Sequence, residues 1–175
     1  MASWEIAVMA MIGVSSVGFL LSDGEQRRVQ WVRAMRRCLL RLSGLIRYEQ
    51  PPLDRLLIRL ELKATPQERE LSRLLRVCAS RLAQDAEAGI EMIFAQESAR
   101  LPGYGVLSGE DRQPFEAVIG ELGRLRLDEQ LREIDSADER LRQREELLSR
   151  ECTRRAQLIR TLGVACGAAA FLILI

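Results

Sequence analysis

Two apolar runs, one toward each end of the chain, constrain its fold more than any other feature. From Trp4 to Leu21 the sequence reads WEIAVMAMIGVSSVGFLL, with Glu5 its single charge. From Thr161 to Ile175 it reads TLGVACGAAAFLILI, with no charge at all. As a helix the first run rises about 27 Å, enough for a thin bilayer core; the second rises about 22 Å and falls short by a couple of turns. Leu158 and Ile159 extend the second run, and Arg160 is placed to snorkel toward head groups. A signal peptide would need a basic leader and a small-x-small cleavage site. Met1 to Glu5 hold no Lys or Arg, so the first run is expected to stay as an anchor. A buried core helix competes for the second run, but the bare LILI ending favours lipid. Gly163 and Gly167 form a G-x-x-x-G spacing that lets helix backbones approach closely in lipid, so this segment is expected to pack on the first or on a partner.

The flanks give an orientation. Arg27, Arg28, Arg33, Arg36 and Arg37 follow the first run, and Arg150, Arg154, Arg155 and Arg160 precede the second. The positive-inside rule then places the intervening domain in the cytoplasm. The expected layout is an N-terminal transmembrane anchor over residues 1–22, a helical domain over 23–160, and a C-terminal hydrophobic or transmembrane segment over 161–175.

Every long segment between the anchors carries helical periodicity. Val29, Val32, Met35, Leu39, Leu42 and Ile46 step by three and four along a helix expected from about Glu25 to Tyr48, with Asp23 as its N-cap. Pro51-Pro52 opens a second helix carrying Leu53, Leu56, Leu57 and Leu60. Thr65-Pro66-Gln67-Glu68 has the residues of a capping box and predicts a third, buried through Leu71, Leu74, Leu75, Cys78 and Leu82. Asp85 is the candidate cap of a fourth, to about Arg100, with Ile90, Ile93 and Phe94 inward. Leu101 to Gly105 is a loop. Ser108 with Asp111 predicts another capping box before Phe115, Val118, Ile119 and Leu122, and a turn near Gly123 leads to a long helix from Asp128, its cap, to about Arg160.

That last helix has a narrow, nearly heptad stripe: Leu131, Ile134, Leu141, Leu148, Cys152 and Ile159. Asp138–Arg142, Glu146–Arg150 and Glu151–Arg155 are spaced as acid-then-base pairs one turn apart. A bundle helix packed on the first helix is preferred to a free coiled-coil arm. The fold class is therefore all-α, an antiparallel bundle of five or six helices flanked by N- and C-terminal transmembrane helices.

Composition removes several chemistries. The sequence has no histidine, the commonest metal ligand and general base. Cys38, Cys78, Cys152 and Cys166 are scattered and form no C-x-x-C pair, so buried thiols are expected rather than a zinc site or disulfides. Lys63, the single lysine, has no Gly-rich phosphate loop around it, and no nucleophile elbow is present. Adjacent carboxylates such as Glu145–Glu146 and Asp128–Glu129 are what any acidic solvated face produces. No enzyme, no cofactor and no small-molecule substrate are expected. Basic and acidic residues number 26 and 25 and are interleaved, which argues against nucleic acid as a partner. A membrane-tethered nucleic-acid-binding helical module is the alternative, and it would need a one-sided basic face.

Three stretches, in order, resemble the stage III sporulation protein AB family of endospore-forming bacteria: LIRYEQPPLDRLL (Leu45 to Leu57), ELGRLRLDEQLREIDSADERL (Glu121 to Leu141) and RTLGVACGAAAFLILI (Arg160 to Ile175). The resemblance implies a scaffold or adaptor in a sporulation secretion-like channel, set in the outer forespore membrane by the mother cell. The family's helical domain is similar to a cytoplasmic domain of type II secretion and type IV pilus platform proteins. By that analogy the partners are the membrane, a cytoplasmic secretion-type ATPase and other channel proteins; homo-oligomerisation stays open. Tyr48, Pro52 and Leu53 match the family's Tyr…Pro-Leu turn, and Gly123, Asp128 and Gln130 match its Leu-Gly…Asp…Gln turn. These six are the candidate partner-binding residues, with Gly163 and Gly167 as candidates for transmembrane packing. Leu127 departs from the family's usual small or polar residue.

Overall fold

The computed structural model describes residues 3–49, 52–84 and 89–174, and among their side chains those of 24–49, 52–84, 89–154, 157, 158 and 161. Six α-helices and one 3₁₀ turn follow in order: α1 (Ser3–Tyr48), α2 (Leu53–Arg59), α3 (Pro66–Gln84), α4 (Ile90–Ala99), the 3₁₀ turn Tyr104–Val106, α5 (Gly109–Glu121) and α6 (Leu127–Leu174). No strand occurs among the described residues, so the chain is all-α.

The chain divides into two compact units, one of residues 28–146 and one of residues 1–27 with 147–175. In the first unit α2 packs on α3, α3 on α4 and α4 on α5. The predicted apolar stripe of α1 is buried throughout, from Val29 to Ile46, and draws Trp31 in with it. Leu56, Leu57 and Leu60 of the second helix are buried, as are Leu71, Leu74, Leu75 and Cys78 of the third. Trp31 meets Tyr104 edge-on at 5.7 Å, and Phe94 lies 6.1 Å from Tyr104 and 6.0 Å from Phe115, so a chain of aromatic rings fills the centre. Burial pushes the thiols of Cys38 and Cys78 up to about 12, as expected of small apolar fillers.

Two helix starts work as their residues dictate. At α3, Thr65 Oγ1 accepts from Glu68 N at 3.2 Å, and Glu68 Oε2 accepts from Ala64 N at 2.7 Å and Thr65 N at 3.3 Å. At α5, Ser108 and Asp111 complete the reciprocal box.

Other boundaries differ from expectation. The helix from Ser3 runs unbroken to Tyr48, so no helix starts at Glu25 and Asp23, whose side chain lies outside those described, is not at a helix start: the apolar run and the amphipathic stripe share one helical backbone. α6 begins at Leu127, and Glu129 rather than Asp128 accepts from the backbone, at Arg126 N. Asp128 sits in the first turn, where its charge opposes the helix dipole favourably. α4 starts at Ile90 with Gly89 before it; Asp85 lies outside the described residues.

α6 is a bundle helix in residues 28–146, joined to α1 by Arg33–Glu145 at 2.6 Å and by Arg36 to Asp138 and Glu145, each at 2.9 Å. Rising numbers on α1 meet falling numbers on α6, an antiparallel pair. Asp138 therefore faces Arg36 instead of Arg142, and Arg142 turns to Glu139 and Glu146. The Glu151–Arg155 pair involves a side chain outside those described. Of the stripe, Ile134, Leu141 and Leu148 are buried and Leu131 and Cys152 half-buried; Ile159 lies outside the described side chains.

In the unit of residues 1–27 and 147–175, the Cys152 thiol faces Glu25 Oε2 at 3.8 Å. The apolar runs lie on helical backbone, the first within α1 and the second, as far as Leu174, within α6, but their side chains fall outside those described, Thr161 excepted, as do Cys166, Gly163 and Gly167. Among the described residues no helix is long and apolar enough to cross a membrane.

Candidate partner-binding surface

The first candidate turn closes α1. Tyr48, its last residue, is 84% exposed, and Glu49 N still donates to Leu45 O at 2.9 Å. Pro52 is exposed, with φ −52° and ψ 149°, and its carbonyl accepts from Leu56 N at 2.9 Å. A proline nitrogen has no hydrogen to leave unpaired at a helix start, which is why α2 can begin after Pro52 at little cost. Leu53 opens α2 half-buried.

The second candidate turn closes α5. Leu122 N donates to Ile119 O at 3.3 Å and Arg124 N to Glu121 O at 3.1 Å. Between them Gly123 adopts φ +80°, a left-handed conformation that side chains with a Cβ resist. Asp128 is exposed, and half-buried Gln130 donates its backbone N–H to Arg126 O at 2.8 Å.

The two turns, some seventy residues apart in sequence, come together in the fold. A Cβ built on Gly123 would lie 3.7 Å from Leu53 Cδ2, ordinary van der Waals contact. Leu53 and Gly123 are thus joined, with exposed Tyr48 and Pro52 leading into the first turn and exposed Leu127 and Asp128 leaving the second. Among the described residues, neither the Tyr48 nor the Asp128 side chain makes a hydrogen bond or ion pair.

The family model described as stage III sporulation protein AB matches residues 3–175. The chain belongs to that family. No curated protein and no solved structure matches it. A member of this family is a sporulation protein, and the family is not a known enzyme family.

Sequence reasoning found the Ser108–Asp111 cap but missed what Asp111 does next. Its carboxylate is fully buried, accepting from Arg28 Nε at 2.5 Å and from Arg144 Nη2 at 2.9 Å. Burial alone would raise its pKa; the hydrogen bonds from Arg28, Ser108 and Arg144 outweigh that and hold it at about 2. No local signal links Arg28 or Arg144 to Asp111, because each arrives from a distant helix. Among the described residues, no group of three His, Cys, Asp or Glu could hold a metal ion.

Proposed function

We propose that this chain is a non-enzymatic, membrane-anchored adaptor of a sporulation secretion-like channel, coupling a cytoplasmic ATPase to the membrane assembly. The observation that carries the proposal is the approach of the two turns at Leu53 and Gly123, with an 84%-exposed Tyr48 at the end of the helix that precedes the first of them. Tyrosine is enriched among the residues that dominate protein-binding hot spots. Apolar residues 4–21 and 161–175 serve as the anchors, and the arginine-rich flanks keep the bundle on the cytoplasmic side of the outer forespore membrane.

The arginines of α1 support an adaptor over a nucleic-acid tether. Arg28, Arg33, Arg36 and Arg37 each face a carboxylate, at Asp111, Glu145, Asp138 and Glu68 respectively. Guanidinium groups held this way are spent on the bundle and do not form a row for phosphates.

The test is co-purification. The full-length chain in mild detergent should retain the cognate cytoplasmic ATPase at moderate salt and should turn over no substrate itself. Failure to retain it refutes the adaptor role.

A further inference from the structure

Charge is unevenly shared among the helices of residues 28–146. The stretch from Arg41 to Gln84 holds nine basic and five acidic residues, whereas Ile90 to Glu121 holds two basic and six acidic. The whole chain carries a net +1, so the imbalance is one of placement.

The basic side has a face. Arg69, Arg73 and Arg76 recur at helical spacing on the solvent side of α3, beside Val77, 39% exposed. Arg76 reaches Glu61 at 3.0 Å, but Arg69 and Arg73 make no ion pair among the described residues.

The acidic side has a cleft. Between α4 and α5 lies an open groove of about 520 Å³, floored by Phe94, Ala95 and Ala117 and rimmed by Glu91, Glu116 and Glu121. The small floor residues let another backbone come close. Glu116 is engaged, accepting from the Tyr104 hydroxyl at 3.2 Å, and the Arg112 guanidinium lies over the Tyr104 ring at 5.8 Å. Glu91 packs beside Gly120, with its Cγ 3.5 Å from where a Cβ would stand, and Glu91 and Glu121 both line the cleft and are exposed. Arg112 also lines the cleft, with its guanidinium over the Tyr104 ring; Arg124 approaches Glu91 at 3.7 Å, and both of those side chains are largely solvated.

We propose that the α4–α5 cleft of one copy receives the arginine face of α3 from a second copy, with Arg69 and Arg73 against Glu91 and Glu121 and Val77 toward the apolar floor. The occupant follows from complementarity: the same sequence carries both an acidic groove and an unpaired basic ridge. Since ridge and cleft are different surfaces, a bound pair still offers one free ridge and one free cleft. Such head-to-tail contacts propagate into a ring or a filament. Glu121 borders the Gly123 turn, but Arg69 and Arg73 lie on α3, so R69E/R73E can lose self-association while still retaining the ATPase, and the two proposals fail distinguishably.

The test uses the full-length chain in detergent, with mass followed by light scattering across a salt series. The wild type should self-associate at low salt and dissociate as salt screens the contact. E91R/E121R and R69E/R73E should each weaken association about tenfold or more. Combining all four changes in one chain should restore it, which also shows that the reversed residues allow folding. A wild type that stays single at low salt overturns the proposal. So does association that neither reversal weakens, as when the apolar ends alone hold copies together. Failure of the fourfold variant to reassociate overturns it too, and leaves the cleft to a different basic partner.

Discussion

Arg28 Nε donates to Asp111 Oδ2 at 2.5 Å, binding α1 to the first turn of α5 across 83 positions of sequence. Arg144 of α6 donates to the other oxygen of the same carboxylate, Oδ1, at 2.9 Å. One buried side chain therefore caps its own helix and ties together the three that meet there.

Replacing Asp111 with Ala should be among the most damaging single changes in the bundle. It removes the cap of α5 and leaves two guanidiniums facing each other without their shared anion. Breaking a buried ion pair costs roughly 3–5 kcal/mol; we expect about 3, since both arginines keep about a quarter of their side-chain area in water. Urea unfolding of the full-length chain in detergent measures it. A loss below about 1 kcal/mol would mean that water replaces the network.

The same carboxylate gives the fold a pH dependence. Its pKa is depressed to about 2 in the folded chain, against about 3.9 for an ordinary aspartate. A depressed folded value contributes stability that is fully present above the unfolded value and lost as pH falls through the folded one. The stability gap between wild type and Asp111→Asn should therefore be constant above about pH 5 and shrink between about pH 4 and 2. Denaturant titrations at a series of pH values would show it; a gap that persists at pH 2 assigns the effect to packing.

At the second turn, Gly123→Ala should cost about 1–2 kcal/mol. The added methyl would find Leu53 Cδ2 at a comfortable 3.7 Å, so the cost arises from the backbone at φ +80° rather than from crowding. Thermal unfolding reads the change. A neutral result would show that the turn relaxes to negative φ.

Thiol labelling separates the cysteines by depth. In a Cys166→Ser background, half-buried Cys152 should react with a maleimide in the native state. Cys38 and Cys78, buried and with pKa values pushed up to about 12, should react only once the chain is unfolded. Native labelling at Cys38 would show that α1 opens from the core.

How much of this was legible beforehand depended on the range of the signal. The stripe from Val29 to Ile46 and the boxes at Thr65 and Ser108 were readable because periodicity and capping act within a few residues. Asp23 misled because a capping residue also fits mid-helix when the sequence on both sides favours helix, as it does from Ser3 to Tyr48. Asp138 misled because a helix-spaced partner, Arg142, is not the best partner when Arg36 of α1 offers two donors to it. The contact of Leu53 with Gly123 was beyond sequence reasoning in a stricter sense: each turn was visible alone, but nothing local says that they meet.

The central claim is that these joined turns are where the ATPase binds, and site-directed loss of binding tests it most directly. We predict that Tyr48→Ala leaves unfolding unchanged and Asp128→Ala costs at most about 1 kcal/mol for its lost helix-dipole interaction, yet each weakens retention of the ATPase by the full-length chain about tenfold or more. Arg69→Glu and Arg73→Glu on α3 should leave that retention as it was. Undiminished ATPase binding by the Tyr48 and Asp128 variants would contradict the account.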